Sequence, residues 1–136
     1  VTVSPVVDDL WRVQFRARLD HGETPTFVAE GHSMWPAICD GDVVRIEPLP
    51  SGGPLVGAVV LAAYRRRLVL HRVLERRPGG LFLKGDANPN PDGWCDLDWV
   101  VGRVASRRGD WVRACVSSCT GAVGARALGF CRTRLC

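Results

Sequence analysis

The chain has 136 residues, of which 46% are hydrophobic, 24% charged and 7% aromatic. That is enough for one globular domain with a real core, and the composition excludes disordered, collagen-like and coiled-coil chains. The net charge of +4 is uneven: residues 1–100 carry 13 acidic and 11 basic side chains, residues 101–136 seven basic and one acidic. The basicity therefore belongs to a C-terminal tail, which reads as a solvated terminus rather than a nucleic-acid surface.

The first residues, VTVSPVVDDLWR, place acids where a secretory signal has a basic start and an apolar centre. No uncharged apolar run reaches the roughly 18 residues of a membrane span. The expectation is a cytoplasmic chain, with membrane association, as a peripheral contact, requiring a segment before Val1. Trp11, Val13, Phe15, Ala17 and Leu19 alternate with Arg12, Gln14, Arg16 and Arg18, a period of two that predicts a half-buried strand. Asp20–Glu23 reads as a hairpin turn leading to a second strand over Thr26–Glu30. Further strands are predicted at Val43–Glu47, Ala58–Tyr64, Leu68–Leu74, Leu81–Lys84 and Trp99–Ala105, separated by segments rich in Gly, Pro, Asn and Asp. Many short strands between such turns indicate a mainly β domain. After about residue 106 the pattern fades into a tail rich in Arg and Cys.

Six cysteines occupy positions 39, 95, 115, 119, 131 and 136. Without an export signal they are expected as reduced thiols. The last four form C-x3-C and C-x4-C pairs, looser than the usual C-x2-C zinc knuckle and without further ligands beside them. No metal or cofactor is expected.

Three elements could carry chemistry. Ser33 lies in Gly31-His32-Ser33-Met34-Trp35-Pro36, just after a predicted strand, where glycine and proline hold the backbone in a fixed path. Of three histidines, His21 sits in the predicted turn, and His32, adjacent to Ser33, points to the opposite side of an extended chain. His71 lies in Leu68-Val69-Leu70-His71-Arg72-Val73-Leu74 with Val69 and Val73 on its face. That setting fits a core histidine and equally a base kept neutral by burial. Asp86 and Asp92 lie in Lys84-Gly85-Asp86-Ala87-Asn88-Pro89-Asn90-Pro91-Asp92-Gly93, where they could form turns, line a solvated edge or orient an imidazole.

The order G-x-S-M-x-P with a downstream G-D, then a strand with H-R-V, then K-G-D-x-N with an acid six residues after its Asp, then Val100-Val101-Gly102-Arg103-Val104, resembles the type I signal peptidase family. That family belongs to a wider group with the self-cleaving LexA-like repressors. The resemblance spans about residues 27–105 and implies a mainly β catalytic domain over residues 1–105, followed by the tail, residues 106–136. It implies Ser33 as nucleophile and, as in the branch typical of archaea and the endoplasmic reticulum, His71 as general base. Asp92 matches the acid of the triad and Asp86 a supporting residue. The single lysine, Lys84, falls in the K-G-D motif and not at the position of the base. The function implied is a serine endopeptidase that cleaves a leader or precursor peptide bound as an extended strand. His32 stands where the family often has a small residue. Two other readings share the fold: a regulatory or peptide-binding domain that does not cleave, and a LexA-like self-cleaving regulator. The latter has little room before Ser33 for a DNA-binding helix-turn-helix.

Overall fold

A computed structural model describes residues 2–3, 8–64 and 66–105. The tail expected over residues 106–136, with Cys115, Cys119, Cys131 and Cys136, lies outside the described residues. The fold is mainly β, an antiparallel sheet with one α-helix.

The helix, α1, covers Asp9–Asp20, where the alternation predicts a strand. The error has a clear origin. Trp11, Phe15 and Leu19 are four apart, a spacing that suits one face of a helix as well as one face of a strand. Val13 and Ala17 distinguish the two, since a strand would bury them with the others, and both are exposed. Asp8 caps the helix by accepting the Trp11 N–H at 2.7 Å, and the intervening Arg, Gln, Ala and Leu are good helix formers. Asp20–Glu23 consequently joins a helix to a strand rather than two strands of a hairpin.

Two arginines seat α1 on the sheet. Arg16 Nη2 donates to the carbonyls of Leu97, Asp98 and Val100 at 3.0, 2.8 and 2.7 Å. Arg12 donates to Asp98 O at 3.0 Å and stacks 4.1 Å over the Trp99 ring. These carbonyls belong to a 3-10 turn at Leu97–Trp99 and the strand after it. Positions that look like the solvent face of a strand are thus ties between helix and sheet.

The strands are β1 (Thr2–Val3), β2 (Thr26–Val28), β3 (Val43–Glu47), β4 (Val59–Tyr64), β5 (Arg67–Arg77), β6 (Gly80–Lys84), β7 (Gly93–Asp96) and β8 (Val100–Val104). Six of them coincide with predicted strands. The four-residue β7 follows a Pro- and Asn-rich loop and is too short to show a period of its own. The order is β2-β3-β8-β4-β5-β6-β7, every neighbouring pair antiparallel, with β1 added to β5 off this path.

Apolar clusters cover both faces. One joins Phe15 and Leu19 of α1 to Met34, Ile38, Ile46, Leu61, Leu68 and Leu70. The other contains Val60, Ala62, Val73, Leu81, Leu83, Cys95 and Val100. The central strand β4 feeds both, which is why Val59–Ala63 reads as a continuous apolar run rather than an alternation. Among the described residues no helix is long and apolar enough to cross a membrane.

Because Phe15 is buried and Val13 is 66% exposed, the two should respond differently to truncation. Phe15→Ala should cost about 3–5 kcal/mol in urea unfolding. Val13→Ala should change stability by less than about 0.5 kcal/mol, whereas comparable losses at both sites would restore the strand.

Candidate active site

The loop carrying Ser33 leaves the end of β2 and is closed by its own main chain. Ala29 N–H donates to Asp42 O and Gly41 N–H to Ala29 O, both at 2.7 Å. The buried Asp42 carboxylate accepts the Cys39 N–H at 2.8 Å, and Asp40 accepts the Gly31 N–H at 2.8 Å. Gly31 and Gly41 adopt φ of +91° and +86°, which side-chain-bearing residues rarely reach, so the two ends of the loop turn on glycine. Met34 and Ile38, both fully buried, anchor the middle in the first apolar cluster. Trp35–Pro36 is a cis peptide. Ser33, half-buried, is left facing the sheet while the neighbouring His32 is exposed.

His71 stands on β5 opposite Val60 of β4, on the face of the second cluster and between Val69 and Val73. It is only 6% exposed. Its Nδ1 hydrogen-bonds Asp92 Oδ2, and its Nε2 lies 3.3 Å from Ser33 Oγ. An ionised carboxylate only accepts, so Nδ1 carries the proton and donates it to Asp92. Nε2 is then bare and accepts from the Ser33 hydroxyl. Burial pushes the His71 pKa below its ordinary 6.5 by disfavouring the imidazolium. The charge and hydrogen bond of Asp92 act in the opposite direction without overcoming burial. The ring is neutral at pH 7, the state in which it can accept a proton.

The loop between β6 and β7 brings the acids. Asp92 N–H donates to Leu83 O at 2.9 Å, which holds its side chain at the imidazole. Asp86 takes a different partner, the Arg72 guanidinium, whose Nε and Nη2 donate to its two oxygens at 2.7 and 2.5 Å. Arg72 Nη1 also donates to Gly57 O at 2.7 Å. Hence Ser33, His71 and Asp92 meet in one hydrogen-bonded chain, and Asp86 acts one residue away by fixing Arg72. Lys84 lies at the end of β6 opposite Arg72. His21 is exposed in the turn after α1.

Three contributors were not singled out from the sequence. The Ala87 N–H donates to Ser33 O at 2.9 Å, tying the acid loop to the serine loop by main chain. Gly85 permits that approach, since a Cβ there would lie 2.6 Å from Ser33 O and 2.7 Å from Asn88 Nδ2. Arg72 is the third. The H-R-V and K-G-D motifs contain Arg72 and Gly85, but only the folded chain shows what they touch. Beside the site, Ala37, Gly57, Ala58, Val59, Arg72, Arg103 and Val104 line a groove of about 280 Å³.

Cys39 and Cys95 are buried thiols. Burial pushes Cys95 up to about 11, which keeps it protonated and unreactive at neutral pH. Among the described residues no three His, Cys, Asp or Glu side chains gather as a metal site. Compared with known proteins, the chain matches no family model and no curated sequence.

Since a methyl group at position 85 must displace backbone, Gly85→Ala should lower stability by about 1–3 kcal/mol in urea unfolding. Amide exchange at Ala87 should quicken at the same time. An unchanged Ala87 amide would show that the loop does not depend on the missing Cβ.

Proposed function

We propose that this chain is a serine endopeptidase of the type I signal peptidase kind, which cleaves a leader or precursor peptide. The observation that carries the reading is the chain Ser33 Oγ, His71 Nε2, His71 Nδ1, Asp92 Oδ2, with a buried neutral ring between a hydroxyl and a carboxylate. A histidine serving only the core has no need of a half-buried serine on one nitrogen and an acid on the other. The motif order described above adds weight to the same reading.

The chemistry follows from protonation states. As Ser33 Oγ attacks the peptide carbonyl, its proton passes to His71 Nε2, and Asp92 stabilises the imidazolium that forms without taking the proton itself. Backbone N–H groups around Ser33 stabilise the developing oxyanion, a contribution of about 3 kcal/mol for one such donor. His71 returns the proton to the leaving amine. A water, deprotonated by the same ring, then hydrolyses the acyl-enzyme and restores Ser33. The groove lined by Ala37, Gly57 and Ala58 reaches Arg72, the neighbour of His71 on β5, and has room for a small side chain of a bound peptide. The substrate is an extended peptide, and Asp86 assists by keeping Arg72, and with it the strand beside His71, in register.

Incubation with a panel of leader-like peptides, followed by mass spectrometry, tests the reading. Wild type should cleave, Ser33→Ala and His71→Ala should each lose activity by at least about 10³-fold, and Asp92→Asn should lose more than Asp86→Asn. Cleavage that survives Ser33→Ala would exclude the mechanism, and peptide binding without cleavage in wild type would favour a regulatory domain.

The pH profile provides a separate check. Protonating His71 removes the base, so kcat/KM should fall as the pH drops through the pKa of His71. That acid limb should lie below 6.5 because burial lowers the value. Both effects of Asp92 raise the pKa, so the residual activity of Asp92→Asn should show its limb at still lower pH. A limb that moves upward would contradict the assigned pair.

A further inference from the structure

β5 is long enough to have two partners along one side. Thr2 and Val3 of β1 face Val69 and Leu68, while β6 takes over from Arg72 onward. β4 runs along the other side, pairing Arg67 to Arg72. His71 therefore stands between the end of the β1 pairing and the start of the β6 pairing. Because β1 is antiparallel to β5, β1 followed back from Val3 to Thr2 advances along this edge toward His71.

An extended peptide gains affinity by adding main-chain hydrogen bonds to a sheet edge. The edge of β5 next to His71 is where such an addition would bring a carbonyl beside the base and Ser33, and Thr2 and Val3 already cover it. Both are residue types suited to strands. Among the described residues two are paired here, and a strand held by so few bonds opens at little cost.

We propose that β1 is a displaceable strap, the chain's own strand lying on the edge that an extended peptide substrate needs, so that binding requires it to lift. This rests on the peptidase reading above. A strap that competes with substrate reduces the fraction of binding-competent protein, which raises KM and leaves kcat alone.

The double variant Thr2→Pro/Val3→Pro removes both N–H donors of β1 and tests the strap in the full chain. Hydrogen exchange should quicken by about tenfold at the Leu68–Leu70 amides that face β1. A millimolar concentration of the acetylated peptide VTVSPVVD, which reproduces residues 1–8, should restore the protection. For any peptide that wild type cleaves, KM should fall about fivefold in the variant with kcat unchanged. Unchanged exchange, or an added peptide that restores nothing, overturns the strap. Exchange is read without catalysis, so the two readings fail separately. A chain that cleaves nothing but shows the expected exchange removes the peptidase and keeps β1 as the cover of a peptide-binding edge. Cleavage with unaltered KM and exchange removes the strap alone.

Discussion

The candidate site depends on one main-chain contact, the Ala87 N–H donated to the Ser33 carbonyl. It joins the loop that ends β2 to the loop that ends β6, two segments about 50 residues apart in sequence. The approach is so close that Gly85 has no room for a Cβ. Because the tie is made by backbone, its length cannot be adjusted by a rotamer, and it transmits the position of one loop to the other. Ser33 and Asp92 are thereby set with respect to each other before either side chain is considered. His71 then needs only to stand on a rigid strand between them, and β5, bonded on one side to the central strand, provides that.

The two acids of the second loop show how one short segment can do two electrostatic tasks. Asp92 is oriented at the imidazole, where its charge opposes the effect of burial on the ring. Asp86 is engaged by two nitrogens of Arg72, and the third guanidinium nitrogen reaches the Gly57 carbonyl. A planar guanidinium suits this arrangement, since its donors are fixed in a fork and a lysine has only a point charge to offer. The result separates the acids: one is committed to the imidazole, and the other fastens the loop to β5 and to the approach of β4. Had both faced His71, their combined charge would have pulled its pKa upward toward the imidazolium, against the neutrality that a base requires.

What the sequence makes legible follows from what local patterns can encode. Most strands could be read because turns rich in Gly, Pro and Asn mark their limits and Val, Ile and Leu fill them. Helix α1 carries the pattern of a strand because Trp11, Phe15 and Leu19 serve both periods, and Val13 and Ala17, apolar yet exposed, imitate a strand face. The decisive signal was the cap: Asp8 precedes a run of helix formers, and capping distinguishes what periodicity cannot. At the site, Ser33, His71 and Asp92 were accessible through motif order. The partner of Asp86 and the role of Gly85 were not, since both depend on contacts between loops that sequence separation conceals.

The distribution of rigidity also distinguishes His71, which sits on a strand, from Ser33, which sits on a loop. β4 is buried on both faces from Val59 to Ala63, and β5 is bonded to it along six residue pairs. A ring on β5 therefore has little freedom, which suits a group that must present one nitrogen to an acid and the other to a hydroxyl. The sheet departs from regularity close by: Leu74 is an extra residue on β5 between the pairs Val73–Leu83 and Glu75–Phe82, and Val101 is an extra residue on β8 opposite the step from Leu61 to Ala62. Bulges increase twist and bend the strands that carry them. At Leu74 the irregularity falls three residues beyond His71, within the stretch of β5 paired with β6, while the first half of β5 is held by β4 on one side and by Thr2 and Val3 on the other. A ring on a strand bonded to the buried β4 and a serine on a loop tied by main chain therefore meet with little freedom on either side, so that the fold, rather than a choice of rotamers, sets their separation.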